Sequence, residues 1–341
     1  MNSALNLGSH ETSGAPKSQI RVLVTGASGK IGKHVVSELV ARGYTVRALT
    51  TKPVEAVADL QHEVEWHRFD WHQSLAFDSL VEDCAAVLHL GAELTQIEKM
   101  QRSNVEATQA LARAAETAGV QFFCYVSSVA VYGSSLSAAV SEDSPVLTDD
   151  RDVKSEYLAV EALRCYGRTK LAGERKIREE AERIEYVILR PTVVVEADDL
   201  IDLGSWSSMK RAMAGYRHSQ QIFVLDVVHA ILWFMERSLA RASHQPGISV
   251  LNLADNSIPE NTYASFFRKA YSRSSDRRFR CVQLPWVFDG LRDLLKFRIL
   301  PFRHTLGRMR FSTDRLHATG YRHRYGISEL HQRALDSLTK K

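Results

Sequence analysis

"TGASGKIG" (25–32) follows the β-branched run "IRVLVT" (20–25) and precedes "KIGKHVVSELVARG", whose helical apolar spacing stops at Gly43. Strand, glycine turn and helix in that order open a βαβ unit. Gly26 permits a tight turn, Gly29 lets the backbone approach a pyrophosphate, and Gly32 allows close helix packing. Ser28, Lys30 and Ile31 complete the loop. Phosphates bound there would meet the free N–H groups and the positive end of the helix. A glycine triplet alone means little; its place between a strand and a helix gives it meaning.

The rhythm continues outward from this loop. "YTVRALT" (44–50), "VEWHRFD" (64–70), "AAVLHLGA" (85–92), "QFFCYVSS" (121–128) and "EYVILRP" (185–191) read as strands. Helices are expected near 74–83, over the Ala-rich 104–119, and through Tyr166 to about Arg183. Strands apolar on both faces and alternating with helices predict an α/β fold of Rossmann type, a doubly wound parallel sheet. After residue 191 the rhythm weakens. "QIFVLDVVHAILWFMERSLA" reads as a strand turning into a helix and "SVLNLAD" as a strand, with a helical, basic remainder from about 258. The expected division is a polar, disordered tail (1–19), a dinucleotide-binding domain (20–191) and a smaller substrate-binding lobe (192–341) interleaved with it.

Composition sets broad limits. The 341 residues are 45% hydrophobic and 25% charged with a net charge of +4, ordinary for a globular protein and mild enough not to demand a nucleic-acid partner. The four cysteines, Cys84, Cys124, Cys165 and Cys281, show no metal-binding spacing and read as reduced thiols of a cytoplasmic protein. No metal site is expected. No stretch approaches the length of about 20 apolar residues that spans a bilayer.

The end of the second strand should meet the adenosine ribose. An acid there would favour NAD, but the sequence offers Thr50, Thr51 and Lys52, with Arg47 and Lys30 expected nearby. The expected cofactor is NADP in preference to NAD, although an acid-free site still accepts NAD.

"TGASGKIG", "VLHLGA", "NVEATQALARAA", "FFCYVSSVAVYG", "YGRTK" and "LRPT" stand in the order that resembles the extended short-chain dehydrogenases/reductases. That group includes the NAD-dependent epimerase/dehydratase family and the 3β-hydroxysteroid dehydrogenase-like and dihydroflavonol reductase-like enzymes. The resemblance runs from about residue 20 to 335, with "FVLDVVHAI", "VLNLAD" and "TGYRHRYGISELHQRAL" as later landmarks. It implies that Tyr166 is the general acid/base and that Lys170, four positions on and on the same helix face, favours its phenolate and lowers its pKa. It implies that Ser128, aligned on the downstream "VYG", bonds the reacting oxygen while Ser127 is structural. Asn104 matches a helix asparagine that supports the lysine, or else it simply packs. Asp70 matches an acid that contacts adenine, and could equally cap a helix. Leu90, Gly91 and Ala92 would lie under the ribose and phosphate, and Arg190, Pro191 and Thr192 near the nicotinamide amide. The resemblance further implies a homodimer through the helices of 104–119 and 160–183.

Three departures narrow the expectation. Val129 and Ala130 stand where the related 4,6-dehydratases carry an Asp-Glu pair, so dehydration by that route is not expected. "RPTVVVEADD" lacks the Tyr-Gly seen in sugar-nucleotide epimerases. Ser128 and Tyr166 lie 38 positions apart; the charged extra stretch at 148–165 is either a lid, an interface or a surface insertion. The basic, aromatic-rich 284–311 would suit a partly apolar or anionic small-molecule substrate, or forms an amphipathic helix packed on the lobe. The leading expectation is an NAD(P)-dependent oxidoreductase acting on a carbonyl or alcohol. A nucleotide-sugar epimerase with tightly bound NAD and a non-catalytic dinucleotide sensor remain alternatives.

Overall fold

A computed structural model describes residues 17–57, 64–147, 161–214, 220–241, 243, 245–258, 261–281, 291, 294, 295 and 309–339. Most of the N-terminal tail, residues 148–160 of the charged stretch and nearly all of 284–308 lie outside the described residues, and with them the readings made there.

Seven parallel strands form the central sheet: β1 (Arg21–Thr25), β2 (Thr45–Thr50), β3 (Val64–Arg68), β4 (Cys84–His89), β5 (Phe122–Val126), β7 (Glu185–Pro191) and β10 (Gly247–Leu253). Their order is β10-β7-β5-β4-β1-β2-β3. β6 (Ala139–Val140) pairs with β11 (Arg310–Phe311), and β8 (Val193–Val195) with β9 (Gln221–Phe223), outside the sheet. The described helices are α1 (Gly32–Ala41), α2 (Asp78–Val81), α3 (Ile97–Gln101), α4 (Ala107–Ala118), α5 (Glu161–Glu180), α6 (Ala197–Asp202), α7 (Ser208–Ala214), α8 (Val224–Leu239), α9 (Tyr263–Ser274), α10 (Asp314–Ala318) and α11 (Gly326–Thr339).

Side chains alternate along a strand, so each strand feeds two cores. Val22, Val24, Leu88, Cys124 and Leu189 pack under Val35 and Leu39 of α1 and Val227, Ile231 and Met235 of α8. On the other face Leu23, Val87, Phe123 and Ile188 meet Leu111 and Ala115 of α4 and Ile177 of α5. α8 and β10 come from beyond residue 191, in the stretch expected to interleave with the dinucleotide-binding domain. β10 pairs with β7 in parallel register and α8 covers the sheet. A further core of Phe223, Phe266, Phe267, Phe279, Ile327 and Leu330 joins β9, α9 and α11. Buried Asp226 accepts the N–H groups of Arg324, Tyr325 and Gly326 and so fixes the entry to α11.

The strand order places β1 between β2 and β4. Connections therefore leave β1 and β4 on opposite faces, opening a crevice at their C-terminal ends. Among the described residues no helix is long and apolar enough to cross a membrane.

Candidate active site

The crevice holds a cleft of about 940 Å³. Gly26, Ser28, Gly29, Lys30, Ile31 and Gly32 form one wall. Gly26 has φ +63°, and a Cβ there would stand 2.7 Å from Gly91 Cα. A Cβ on Gly32 would lie 2.2 Å from the Gly26 carbonyl oxygen, and one on Gly91 2.2 Å from the Trp71 ring. Backbone fills the space a side chain would need, so the two loops meet in close contact. This is a cradle suited to a dinucleotide's phosphates.

At the end of β2, Thr50 Oγ1 lies 2.8 Å from Ser28 Oγ and accepts from the Lys52 N–H. Thr50, Thr51, Lys52 and Asp70 all line the cleft. Asp70 Oδ1 also accepts from the His72 N–H, so the residue closes its own turn. The expected cluster of cations is smaller than the sequence suggested. Arg47 turns away to Glu65 and to the carbonyls of Ser79, Leu80 and Glu82, because mid-strand alternation points it off the cleft. Lys30 is paired with Asp199 at 2.7 Å and Lys33 with Glu196 at 2.9 Å, which joins the glycine loop to α6.

Leu90, Gly91 and Ala92 follow β4 and line the cleft. Buried His89 holds them from below. Its Nδ1 lies 2.7 Å from Thr25 Oγ1, its Nε2 2.9 Å from Thr108 Oγ1, and Thr25 Oγ1 also accepts from the Gly91 N–H. Burial, with the Lys170 charge, pushes the imidazole down to about 3. Asn104 lies in a π-helical turn, Arg102–Glu106. Its side chain accepts from Glu93 N–H at 2.8 Å and donates to the Glu93 carbonyl and to Thr169 Oγ1. It thus ties the loop after β4 to α5, with no bond to Lys170.

Ser128 and Tyr166 both line the cleft, with the serine hydroxyl near enough to the phenol to act on its acidity. Burial raises the Tyr166 phenol to about 12, and the Ser128 hydroxyl offsets part of that rise. The direction is opposite to the lowering expected from Lys170. That ammonium is itself fully buried and lies over the Tyr125 ring, 3.9 Å from its centroid. Burial lowers Lys170 to about 7 against the opposing pull of Glu174. Lys170 Nζ and Thr192 Oγ1 are buried without a hydrogen-bond partner, and Pro191 and Thr192 stand at the end of β7 beside the cleft. Thr192 lines the cleft and could serve the amide of a nicotinamide dinucleotide, whereas Lys170 lies behind the cleft wall and does not line it.

Sequence reasoning missed three features. Ser127, next to Ser128, donates to Glu174 Oε1. Arg190 turns inward to Glu174 and Tyr132 rather than to the cleft. Trp71 forms a wall against Gly91. Only Glu174 had a visible signal, its spacing of four from Lys170.

Comparison with known proteins agrees with this geometry. Residues 22–199 match the family described as NAD dependent epimerase/dehydratase. A decarboxylating sterol-4-alpha-carboxylate 3-dehydrogenase of Dictyostelium discoideum is 25% identical over 194 residues, 53% of this chain and 56% of that protein. The chain spans about half the length of the first curated relatives it matches. A 4-hydroxy-2-methyl-3-oxo-4-farnesyl-3,4-dihydroquinoline-1-oxide ketoreductase of Stigmatella aurantiaca is 30% identical over 256 residues, 71% of this chain and 70% of that protein. A short-chain dehydrogenase/reductase superfamily protein from Agrobacterium tumefaciens, solved with bound NAD, superposes with a TM-score of 0.68 at 22% identity, covering 94% of this chain and 97% of that one. The cleft, its glycine cradle and these matches converge: the chain belongs to the NAD dependent epimerase/dehydratase family of extended short-chain dehydrogenases/reductases.

Proposed function

We propose that the protein is an NADP-preferring oxidoreductase that interconverts a carbonyl and an alcohol on a partly apolar small molecule. The observation that carries the reading is that Ser128 and Tyr166 line the same cleft as the glycine cradle. The bound nicotinamide would supply or accept the hydride. Gly26, Ser28, Gly29, Ile31 and Gly32 hold its phosphates, Ser28, Thr50 and Lys52 the adenosine ribose, and Asp70 the adenine. Tyr166, neutral at pH 7, donates a proton to the substrate oxygen in the reducing direction, and Ser128 orients that oxygen. Lys170 adds positive charge behind the phenol as it ionises. Asn104 keeps α5 at a fixed distance from the loop after β4.

Leu94, Leu163 and Val193 expose apolar side chains into the same cleft, which supports an apolar substrate. The ketoreductase relative is named for a farnesyl-bearing ketone, which supports the same class. NADP preference rests on Lys52 and on Thr50 in place of an acid. α4 and α5 pack side by side, tied by the Arg113–Glu180 ion pair at 2.7 Å. A homodimer would join through these two helices.

The test is an absorbance scan of the protein as purified, then titration with NADPH and NADH. Tighter binding of NADPH to a protein that carries no cofactor supports an exchanging reductase. NAD already bound as purified favours the nucleotide-sugar epimerase. Binding of neither overturns the dinucleotide assignment.

A further inference from the structure

Helix α5 carries a third chemical group on the face of Tyr166 and Lys170. Glu174 lies one turn beyond the lysine and is 1% exposed. Ser127 Oγ donates to its Oε1 at 2.5 Å. Arg190, 4% exposed, bonds both carboxylate oxygens, at 2.9 and 2.6 Å. Arg190 also donates to the Tyr132 hydroxyl, which donates to Asn252 Oδ1. Five side chains thus link α5, β5, β7 and β10 through one buried carboxylate.

The surroundings of Lys170 make that carboxylate matter. β5 offers it the Tyr125 ring and β4 a neutral His89 stacked on that ring at 5.3 Å. Its own helix adds Tyr166 and Glu174, and β7 adds Arg190 through Glu174. Among these groups Glu174 is the one that favours the charged form of the lysine. A buried ammonium without an opposite charge loses its proton.

We propose that Glu174 is a positioning residue: anchored by Arg190 and Ser127, it keeps the Lys170 ammonium charged and fixes the face of α5 that presents Tyr166. The proposal rests on the placement of Lys170 behind the wall of the dinucleotide site. Neutralising Glu174 removes the attracting carboxylate and so pushes the proton off Lys170.

The experiment is a pH titration of the lysine side-chain resonances by NMR on the full-length, cofactor-free protein, with Lys170→Met identifying the signal. Glu174→Gln should lower the Lys170 midpoint by about one unit or more, a tenfold fall in its charged fraction relative to neutral. Glu174→Asp should restore it. A folded Glu174→Gln protein with the wild-type midpoint overturns the proposal, as does a Glu174→Asp protein that titrates like the Gln variant. If Glu174→Gln does not fold, Ser127→Ala decides: loss of that anchor should lower the Lys170 midpoint, and an unchanged or higher midpoint overturns the proposal. Turnover retained in Tyr166→Phe would sink the catalytic reading and leave this titration untouched.

Discussion

The Lys170 ammonium nitrogen stands 3.9 Å from the centre of the Tyr125 ring, and that ring stacks on His89. The ring face attracts the ammonium, but loss of water around it outweighs that attraction. Burial sets it at about 7, within reach of ordinary buffers.

Dinucleotide affinity should therefore depend on pH. Below 7 the lysine is charged and attracts the anionic cofactor; as pH rises through 7 the charge is lost. The dissociation constant of NADPH, followed by its fluorescence, should rise between pH 6 and 8 and stay level in Lys170→Met. A flat wild-type profile would remove Lys170 from the binding site.

Tyr166→Phe should lower kcat by about 10²- to 10⁴-fold, the range of a lost general acid. Cofactor affinity should change little, because the phenol faces Ser128 rather than the glycine cradle. Single-turnover kinetics beside NADPH titration separates the two; turnover within a few-fold of wild type would assign the proton to another group.

Thr50→Asp should reverse the cofactor preference. The hydroxyl now meets Ser28 at 2.8 Å, and a carboxylate in its place would repel a 2′-phosphate and accept from a 2′-hydroxyl. The ratio of NADPH to NADH dissociation constants should rise by about tenfold or more, the scale of one like-charge contact near a protein surface. An unchanged ratio would mean that the ribose lies elsewhere.

His89 should make the fold acid-sensitive. Its folded value of about 3 lies below the ordinary histidine value of 6.5, so the unfolded chain binds the proton more readily. The stability it confers is complete above 6.5 and is lost as pH falls from 6.5 toward 3. His89→Gln should melt lower than wild type at pH 7 and lose less on acidification. Parallel melting curves from pH 7 to 4 would count against this account.

The central sheet was readable because β1, β2, β4, β5 and β7 are apolar on both faces and punctuated by glycine turns. β10 was harder to place. Its first half is exposed and alternating, and it follows β7 only after β8, β9 and α8, so nothing local announces its partner. β6 and β11 are two residues long, too short for any period to appear. The cleft positions of Gly26, Gly32, Ser128 and Tyr166 follow from turn chemistry and helical spacing, which are local rules. The direction of the Tyr166 shift does not, since burial is a tertiary property. Nor does the Arg190–Glu174 pair, because charges on helices and strand ends ordinarily face water. Asn104 depended on a π-turn, a change in backbone bonding that leaves no mark in residue spacing.

The order of the strands also has a consequence for how the molecule is made. The phosphate cradle, from β1 to β4, emerges early from the ribosome. The sheet edge beside β7 stays open until β10 has been synthesised, and α11 can dock only after that. Domains fold from the N-terminus as they emerge. The nascent chain therefore has its glycine turn and first four strands before it has the strand that closes the sheet edge beside β7.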